Sequence, residues 1–376
     1  MDTPSELVVG VVSTKKLSVC PGCGRSCRRV HDRRRRQIRD LEVSGRRTVL
    51  LWTQRRFVCD ECGKRHMETH PQFLGGMTRR LARRLVQDAQ VMSIQAVSRR
   101  HRISWHLIMG LVTDWSGLIQ SRRRRRRCRV LLIDETSIRK RHRYVTVAVN
   151  GDTGEVLAIV EGRSKQALSR FFIEQGPRWC HSVRTVVTDG SRSYRAAIQR
   201  YLPRARHVLD RFHAARWFTQ GLTLVRRELQ RRQPPGVKPA FEPDLFRARF
   251  ALLKRHDHLT GAERKRLDRL FDTHLRLQVA WDALQELYGL YQADDLEGAL
   301  EALERFSNLY QTGQIPEYHS IVDTILNWST EILSWHHNRR SNGPLEGINN
   351  LIQTLRRTAH GFTNPHNYAA RGLLLT

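Results

Sequence analysis

The sequence predicts a multidomain α/β protein, and three observations support that prediction. Two Cys-x-x-Cys pairs lie near the N-terminus, alternating strand and helix patterns begin at about Val130, and residues 219–330 follow a helical repeat. The chain has 376 residues, which is more than a single hydrophobic core usually serves. We therefore predict an N-terminal finger at 1–72, paired helices at 73–121, an α/β core at 122–218 and 331–376, and a helical insertion at 219–330.

The chain is strongly basic. It carries 66 Lys and Arg against 36 Asp and Glu, which gives a formal net charge of +30. Such a surface attracts polyanions, because each phosphate that it neutralises releases condensed counterions. The charge favours a nucleic-acid partner, although ribosomal-type and membrane-surface proteins can share this balance. Because no apolar stretch approaches the roughly 20 residues of a membrane span and no secretion signal is recognisable, we expect a cytoplasmic, nucleoid-associated protein.

The N-terminal segment contains a metal-binding pattern. The pairs Cys20-Pro-Gly-Cys23 and Cys59-Asp-Glu-Cys62 are separated by 35 residues, and a glycine follows each second cysteine. Structural Zn²⁺ takes four tetrahedral ligands, and each pair offers two thiolates. A redox dithiol would instead need a thioredoxin-like βαβ setting, which the pattern lacks. We predict a zinc-ribbon-like finger with these four ligands, and we expect ordinary buried thiols at Cys27, Cys128 and Cys180.

Two short helices joined by a turn follow the finger. Ser93–His101 and Trp105–Val112 have helical periodicity, and Ser104 is a suitable N-cap for the second helix. We expect the apolar residues of both helices to face inward, namely Ile94, Val97, Leu107, Ile108 and Leu111. This layout predicts a helix-turn-helix whose second helix enters a major groove, although any two amphipathic helices can imitate it.

Several basic or aromatic side chains of these two modules are candidate DNA contacts. They are Arg33, Arg34, Arg99, Arg100, Trp105 and His106. The run Arg122–Arg127 is expected to be a linker or its edge, and it could follow phosphates or be simply solvated.

The next segment contains apolar strands that end in aspartates. The predicted strands are Val130–Asp134, Tyr144–Val149, Val156–Val160, Val183–Asp189 and Arg206–Leu209, and the predicted helices are Lys165–Glu174 and Tyr194–Leu202. A turn at Gly151-Asp-Thr-Gly154 joins the second and third strands as a hairpin. This order is that of an RNase H-like core, in which Asp134 and Asp189 would lie side by side.

Two carboxylates at one sheet edge suggest metal-dependent phosphoryl transfer. That chemistry uses two Mg²⁺ or Mn²⁺ ions about 4 Å apart, held by several carboxylates. The best third candidate is Glu346 in Ser341-Asn-Gly-Pro-Leu-Glu-Gly-Ile-Asn-Asn350, because Pro344 places it in the first turn of a helix. Each residue also has an ordinary explanation: a solvated strand end for Asp134, a helix cap for Asp189 and a helix-dipole contact for Glu346.

Three further residues lie close to these positions in the sequence. Glu135 follows Asp134 on a strand and should point to the opposite face, so we leave it out of the site. Asp210 is interpreted as an N-cap, and His213, in the first turn of the following helix, is a candidate active-site neighbour.

The helical insertion has leucines and aromatics at three-to-four spacing. They are Leu267, Leu270, Phe271, Leu277, Trp281, Leu284, Leu287, Tyr288 and Tyr291. Pro234-Pro235-Gly236 predicts a loop inside this segment. The pattern indicates buried helix faces but no chemistry.

These motifs together resemble insertion-sequence transposases of the ISL-three family. The resemblance covers nearly the whole chain, and its most specific parts are the paired cysteines and the Glu346 motif. It implies that Asp134, Asp189 and Glu346 form a DDE triad and that the finger and helix-turn-helix recognise terminal inverted repeats. It also implies double-stranded DNA as substrate and target. Joining two DNA ends implies at least a dimer, and Arg356 and Arg357 are candidate phosphate contacts, although a solvated basic face is simpler.

Two other functions fit parts of the pattern. A DNA-binding regulator would use the finger and the helix-turn-helix without catalysis, but it would not need three carboxylates. A structure-selective nuclease with the same core would need neither of the two DNA-binding modules.

Overall fold

We describe the protein from a computed structural model that covers residues 3–139, 143–231, 242–313 and 319–376. The predicted loop at Pro234-Pro235-Gly236 lies outside these described residues. Internal contacts divide the chain into two compact units, one formed by residues 1–118 and 355–374 and the other by residues 119–354 and 375–376. Each unit is described by itself.

Strands occur in both units. In chain order they are β1 (Glu6–Val11), β2 (Ser18–Val19), β3 (Ser26–Cys27), β4 (Val30–Val43), β5 (Arg46–Val58), β6 (Arg65–Met67), β7 (Phe73–Leu74), β8 (Met77–Thr78), β9 (Val130–Arg139), β10 (Arg143–Asn150), β11 (Val156–Glu161), β12 (Thr185–Thr188) and β13 (Arg206–Leu209).

Most helices belong to the second unit. In chain order they are α1 (Arg79–Val91), α2 (Ile94–His101), α3 (Trp105–Arg124), α4 (Lys165–Gln175), α5 (Pro177–Cys180), α6 (Arg192–Tyr201), α7 (Arg211–Arg231), α8 (Pro243–Arg247), α9 (Gly261–Thr273), α10 (Leu275–Gln292), α11 (Leu296–Gly313), α12 (His319–Asn327), α13 (Ser329–Leu333), α14 (Gly343–Thr358) and α15 (Pro365–Gly372). No helix in the described ranges has the length and hydropathy that crossing a membrane requires.

The first unit is built on a sheet with the strand order β1-β5-β4-β8-β7, and β6 pairs with β5. Its centre is the long β4–β5 hairpin, which closes through Ser44 and Gly45. Both residues have positive φ, at 52° and 73°, as a two-residue hairpin turn of the favoured hand requires. Strand β5 alternates partly exposed and buried residues over much of its length, among them the buried Val49, Trp52 and Phe57.

The helix-turn-helix of the first unit matches its predicted bounds at the turn. The Ser93 hydroxyl accepts a hydrogen bond from the Ala96 amide at 3.1 Å and caps α2, and the Ser104 hydroxyl lies 3.4 Å from the Leu107 amide. Between the two helices, Arg102 adopts a left-handed conformation with φ of 49°. Four of the five residues predicted to face inward are buried.

Leu107 is the exception, because 44% of its surface is exposed and the prediction that it faces inward is wrong. The buried stripe of α3 instead uses Ile108, Met109, Leu111 and Val112. Leu107 therefore lies at the edge of the apolar face.

The arginine run after the helix-turn-helix is not a linker throughout. Helix α3 continues to Arg124, and Arg123 is buried and donates to the Val156 carbonyl at 2.5 Å. Arg124 pairs with Glu174 at 2.6 Å, and Arg126 pairs with Glu155 at 2.8 Å. These contacts correct the prediction, because half of the run serves the packing of the second unit.

The C-terminal segment belongs to the first unit by its contacts. Arg371 on α15 is 1% exposed and donates to the carbonyls of Ala89 and Met92 at 2.6 and 2.7 Å. Gln90 in turn donates to the Leu374 carbonyl at 2.7 Å. We predicted that all of residues 331–376 belong to the α/β core. The internal contacts instead group residues 355–374 with the first unit.

The second unit contains a sheet with the strand order β11-β10-β9-β12-β13. Strand β10 is antiparallel to β9 and β11, whereas β9, β12 and β13 are mutually parallel. The predicted strands, the hairpin and both helices of this segment are confirmed, with β9 extended to Arg139. In the hairpin turn, a Cβ on Gly151 would lie 2.7 Å from a Val130 methyl group, so no other residue fits without a shift.

The sheet and the helical segment each contribute to a hydrophobic core. One core packs α4 and α6 against β9 and β12 through residues such as Ile133, Phe171 and Tyr194. The other joins α7 to helices α8–α13, and it contains all nine apolar residues predicted for the insertion, six buried and three partly buried. Since Leu209 of β13 and Ala214 of α7 belong to this second core, the helical segment is packed directly against the end of the sheet.

Candidate functional site

The carboxyl ends of three parallel strands bring acidic residues to one edge of the sheet. Asp134 lies within β9, Asp189 directly follows β12, and Asp210 directly follows β13. Ligand atoms of Asp134, Asp189 and His213 all lie within 4.8 Å of one another. The structure therefore brings together two of the three predicted carboxylates and the histidine proposed as their neighbour.

Asp134 and Asp189 are partly buried, and their hydrogen bonds fix their orientation. Asp134 Oδ1 accepts from the Glu135 amide at 2.8 Å, and its Oδ2 accepts from Asn349 Nδ2 at 2.9 Å. Asp189 Oδ1 accepts from the Ser191 amide at 3.2 Å. Burial raises the pKa of Asp134 to about 6 and also raises the pKa of Asp189, because desolvation disfavours the charged form.

His213 is oriented by a buried carboxylate. Its Nδ1 lies 3.2 Å from Asp210 Oδ2, and this hydrogen bond raises the pKa of His213 above its usual value. Asp210 is fully buried, and its Oδ1 accepts from the Asn342 amide at 2.9 Å. Asp210 thus precedes α7 as predicted, but its carboxylate also fixes His213 and the loop before α14.

Glu346 lies in the first turn of α14, as predicted, and it is exposed. Its carboxylate does not belong to the group of ligand atoms, within the described residues, that lie within 4.8 Å of one another around Asp134. However, Asn349, three residues later on the same helix, contacts Asp134 directly. The role of Glu346 as third carboxylate therefore stays a prediction.

The segment that carries Glu346 follows the sheet from one end to the other. Asn338 Nδ2 donates to Thr185 Oγ1 at 2.8 Å near the start of β12, and Asn342 Nδ2 donates to the Ile133 carbonyl at 3.2 Å. Further along, Gln353 Nε2 contacts Thr136 Oγ1 at 2.5 Å on β9. These contacts join residues more than 150 positions apart in the sequence, so periodicity could not have revealed them.

A cavity of about 350 Å³ opens beside these groups. Its walls are formed by Glu135, Arg163, Asp189, Gly190, Ser191, Ser193, His213 and Trp217. A Cβ on Gly190 would lie 2.2 Å from the Trp217 ring, so this close approach requires glycine.

Glu135 lines this cavity and lies 3.4 Å from Arg163. Within the described residues, its carboxylate does not belong to the group of ligand atoms around Asp134 and Asp189. Its exclusion from the metal site by strand alternation therefore stays a prediction. Arg163 and Trp217 were not singled out from the sequence, and they carry no motif that would have identified them.

The donor set fits a divalent metal. Carboxylate oxygens and an imidazole nitrogen are ligands that Mg²⁺ and Mn²⁺ accept. Asn349 Oδ1 is also buried beside Asp134 without a hydrogen-bond partner in the described residues, and a buried oxygen in that state is unusual unless a cation or water satisfies it. These residues could hold the ions that the sequence analysis predicted.

The four cysteines of the predicted finger converge. Their Sγ atoms lie within 4.8 Å of one another, with Cys20 and Cys62 at 3.6 Å and Cys23 and Cys59 at 3.5 Å. This arrangement fits a tetrahedral Zn²⁺, which holds four thiolates at about 2.3 Å. Hydrogen bonds from backbone amides lower the pKa of Cys59 to about 6 and also lower that of Cys20, whereas the neighbouring thiols raise the pKa of Cys23 and Cys62.

The two cysteine turns have the same backbone pattern. The Cys20 amide donates to the Arg25 carbonyl at 2.8 Å, and the Cys59 amide donates to the Lys64 carbonyl at 3.0 Å. The glycine after each pair has positive φ, 74° at Gly24 and 67° at Gly63, so another residue would strain the turn. Cys27 is buried as predicted, and it also forms a second possible ligand group with Cys20 and His66.

The candidate DNA contacts lie mainly on the surface of the first unit. Arg33, Arg34, Arg99, Arg100, His106 and Arg357 are exposed, and Trp105 and Arg356 are partly buried. Trp105 and His106 open α3 and contact each other edge to face at 5.3 Å. Arg39 of β4 donates to the carbonyls of His101 and Arg102 and so ties the sheet to the turn. No DNA contact is established by these positions, and all of them stay predictions.

Comparisons with known protein families assign this chain to one of them. A transposase family model of the ISL3 type matches residues 131–372, well over half of the chain. The chain belongs to the ISL3 family of transposases. Two further models match this family member at its N-terminal side: a zinc finger of transposases of the IS204/IS1001/IS1096/IS1165 group at residues 16–62, and the ISL3 helix-turn-helix domain at residues 75–116.

Similar curated proteins support the family assignment. The transposase for insertion sequence element IS1001 of Bordetella parapertussis is 29% identical over 375 residues, covering 96% of this chain and 89% of that protein. The transposase for insertion sequence element IS1557 of Mycobacterium tuberculosis is 28% identical, covering 74% of this chain and 67% of that protein. The predicted family, the zinc finger and the helix-turn-helix are thereby confirmed.

Proposed function

We propose that this ISL3-family transposase binds the terminal inverted repeats of an insertion sequence and catalyses metal-dependent cleavage and strand transfer of DNA. The observation that carries the proposal is the meeting of Asp134, Asp189 and His213 at one end of a sheet. Its relatives are named as transposases for insertion sequence elements, which agrees with such a substrate.

We also propose that the second unit has an RNase H-like catalytic core. The strand order β11-β10-β9-β12-β13, with one antiparallel hairpin and three parallel strands, supports it. In such a core the carboxylates of the first and fourth strands lie together, as Asp134 and Asp189 do here.

In the proposed site, Asp134, Asp189 and Glu346 hold two Mg²⁺ or Mn²⁺ ions. Ions bound there would supply Lewis acidity for the attacking and leaving oxygens of phosphoryl transfer. Asn349 holds Asp134 in place through its 2.9 Å hydrogen bond. Glu346 lies three residues before Asn349 on α14, and in this proposal it joins the two aspartates when DNA is bound.

His213 is proposed to act beside the carboxylates. Asp210 occupies one side of its imidazole through Nδ1, which leaves Nε2 available to the cavity as a ligand or proton acceptor. The hydrogen bond with Asp210 raises the pKa of His213, so its imidazole becomes available as a ligand or proton acceptor at a higher pH than a free histidine.

DNA recognition is assigned to the first unit. The finger, with a structural Zn²⁺ on Cys20, Cys23, Cys59 and Cys62, and the helix-turn-helix present exposed arginines for this purpose. Because two element ends must be processed together, we propose that the protein acts as a dimer or larger assembly on DNA.

The proposal is tested with purified, zinc-loaded protein, Mg²⁺ or Mn²⁺, and a duplex carrying the inverted repeat that flanks the gene. We expect nicking at the element end by the wild type, loss of nicking in Asp189→Ala, and normal nicking in Asp268→Ala, which removes an exposed acid on α9. Binding without cleavage would contradict the enzymatic proposal and favour a regulator. Cleavage that ignores the repeat would favour a nuclease.

A further inference from the structure

The three parallel strands of the second unit run from arginines to aspartates. Arg129 precedes β9, Arg184 precedes β12, and β13 begins with Arg206, while Asp134 lies in the middle of β9 and Asp189 and Asp210 directly follow β12 and β13. The Arg184 amide donates to the Arg129 carbonyl at 2.8 Å. Arg129 and Arg184 are therefore side by side on one face of the sheet, whereas Arg206 is in register with Thr185 and lies on the opposite face.

Two of these arginines line a cavity of about 490 Å³, which we call the basic cleft. Its walls are Arg127, Arg129, Arg178, His181, Ser182 and Arg184, with no acidic residue among them. Within the described parts of the chain, none of the four guanidinium groups has an ion pair or a hydrogen bond to protein. All four arginines are exposed.

Nearby arginines of the same unit do have acidic partners. Arg124 pairs with Glu174, Arg126 pairs with Glu155, and Arg340 lies 3.6 Å from Asp152. Glu174, Glu155 and Asp152 are thus already paired with other arginines. The positive charge of the cleft is left for a ligand from outside the unit.

The backbone that holds the cleft is well anchored. Ser182 Oγ donates to the Trp179 carbonyl at 2.7 Å and lies 3.3 Å from the Cys128 amide, which accounts for its position between the two strand starts. Trp179 and Cys180 are buried in the core beneath it. Packing thus fixes the backbone of the cleft, while its four arginine side chains are exposed.

We propose that the basic cleft binds backbone phosphates of DNA at a place separate from the catalytic site. A guanidinium group matches phosphate geometry with two parallel hydrogen bonds. Neighbouring strands are about 4.8 Å apart, so Arg129 and Arg184, side by side on β9 and β12, can reach neighbouring phosphates of one DNA strand.

The phosphate in the cleft is not the one that is cut. Arg129 and Asp134 are five residues apart on an extended strand, which corresponds to about 16 Å. The DNA held there is either a more distant part of the bound duplex or a second segment. This inference rests on the proposed function only in taking DNA as the polyanion, and it makes no use of cleavage.

The test measures the affinity of the full zinc-loaded chain for a labelled 30-base-pair duplex in the absence of Mg²⁺ and Mn²⁺. Fluorescence anisotropy reports binding, and the titration is repeated over a range of NaCl concentrations. The variant is Arg129→Ala/Arg184→Ala, and the matched control is Arg247→Ala/Lys265→Ala, which removes two exposed cations of the helical segment. We expect the slope of log affinity against log salt to fall by about 2 in the variant only, with roughly ten- to a hundred-fold weaker binding at 0.1 M NaCl.

Additional variants and a phosphate titration distinguish DNA binding by the cleft from misfolding and from binding of a free anion. Arg129→Lys/Arg184→Lys should keep most of the slope, because the charges remain, and circular dichroism should show that all variants fold. Equal losses in the variant and the control would overturn the proposal, as would an unchanged slope in the variant. Saturable binding of inorganic phosphate by the wild type with an unchanged DNA slope would also overturn it, by assigning the cleft to a free anion. Failure of end cleavage, by contrast, would leave this result standing.

Discussion

Single residues of the candidate active site are in an environment that disfavours their charge. Asp134 and Asp189 are partly buried, Asp210 is fully buried, and the His213 imidazole lies within 4.8 Å of the first two carboxylates. Burial raises the pKa values of Asp134 and Asp189. A site of this kind costs stability until cations bind, as is common for functional sites.

The pH dependence of stability follows from Asp134. The folded protein holds this proton up to about pH 6, whereas an unfolded aspartate releases it near pH 4, so stability falls as the pH rises across that window. The raised pKa of His213 acts in the same direction, because its contribution is lost as the pH rises through the folded pKa.

Asp134→Asn should therefore stabilise the zinc-loaded protein in the absence of Mg²⁺ and Mn²⁺. We expect a Tm about 2–4 °C higher at pH 7.5 and almost no change at pH 4.5, measured by thermal circular dichroism. The free Asn349 Oδ1 can accept the new amide after a flip. Asp268→Asn, on the exposed face of α9, should leave Tm unchanged at both pH values. A larger loss of stability at pH 7.5 than at pH 4.5 would contradict this account.

Asn349 is predicted to position Asp134. Asn349→Ala removes the 2.9 Å hydrogen bond to Asp134, and loss of such a supporting contact typically costs about 10- to 100-fold in metal affinity or activity. We expect the Mn²⁺ concentration for half-maximal end cleavage to rise accordingly. Its exposed neighbour is the control, since Asn350→Ala should cleave like the wild type. Equal behaviour of the two variants would remove Asn349 from the site.

Residue identity alone could predict only part of this site. Asp134, Asp189 and His213 were predicted because strand ends and helix starts are visible in the sequence. Glu135 was left out of the metal site by strand alternation, and it lines the neighbouring cavity without joining the group of ligand atoms among the described residues. Arg163 and Trp217 reach that cavity from other elements, so no local pattern could have revealed them.

At the scale of single elements, the structure of the finger is determined by the local sequence. In the finger, two turns with equivalent hydrogen bonds and glycines at positive φ bring four thiols together. Spacing and glycine placement predicted this element because they are local. The nearby Cys27 and His66 lie in the same small region and form another ligand group with Cys20.

Cys59→Ser and Cys27→Ser should separate the ligands from the neighbouring thiol. We expect Cys59→Ser to lose stoichiometric zinc and lower the Tm of the first unit, because metal binding stabilises only the folded finger. Cys27→Ser should keep its zinc, because four other thiols complete the site. The measurement is metal analysis of freshly purified protein together with thermal unfolding. Zinc loss in the Cys27 variant with retention in the Cys59 variant would invert the ligand assignment.

Helix α3 gives a second test within one element. Ile108 is fully buried, whereas Leu107 is 44% exposed, although the sequence predicted both to face inward. We expect Ile108→Ala to lower the free energy of unfolding by about 2–5 kcal/mol and Leu107→Ala by less than about 1 kcal/mol. Chemical denaturation followed by tryptophan fluorescence measures both. Comparable losses would show that Leu107 is buried in solution.

The whole molecule depends on contacts that join distant parts of the sequence. Strands, helices and the apolar faces of the helical insertion were predicted because periodicity encodes them. The path of residues 338–353 along β9 and β12, the packing of α15 beside α1, and the ion pairs of Arg123–Arg126 were not. Each depends on which elements meet, and a single sequence does not record that.

At the scale of the whole molecule, the basic cleft and the acidic cluster lie in different places. The net charge of +30 coexists with an acidic cluster because the basic cleft lies at the starts of β9 and β12, whereas Asp134 and Asp189 lie farther along the chain at these strands. In the proposed function, a polyanion approaches the basic cleft while the carboxylates remain available for metal ions.

The central claim is that Asp134, Asp189 and Glu346 together hold the catalytic ions. It is tested most directly by counting Mn²⁺ ions bound to the zinc-loaded protein on its end duplex, using electron paramagnetic resonance. The account predicts two ions for the wild type, none with high affinity for Asp189→Ala, and weakened or single-ion binding for Glu346→Gln. Wild-type Mn²⁺ binding by both variants would contradict it.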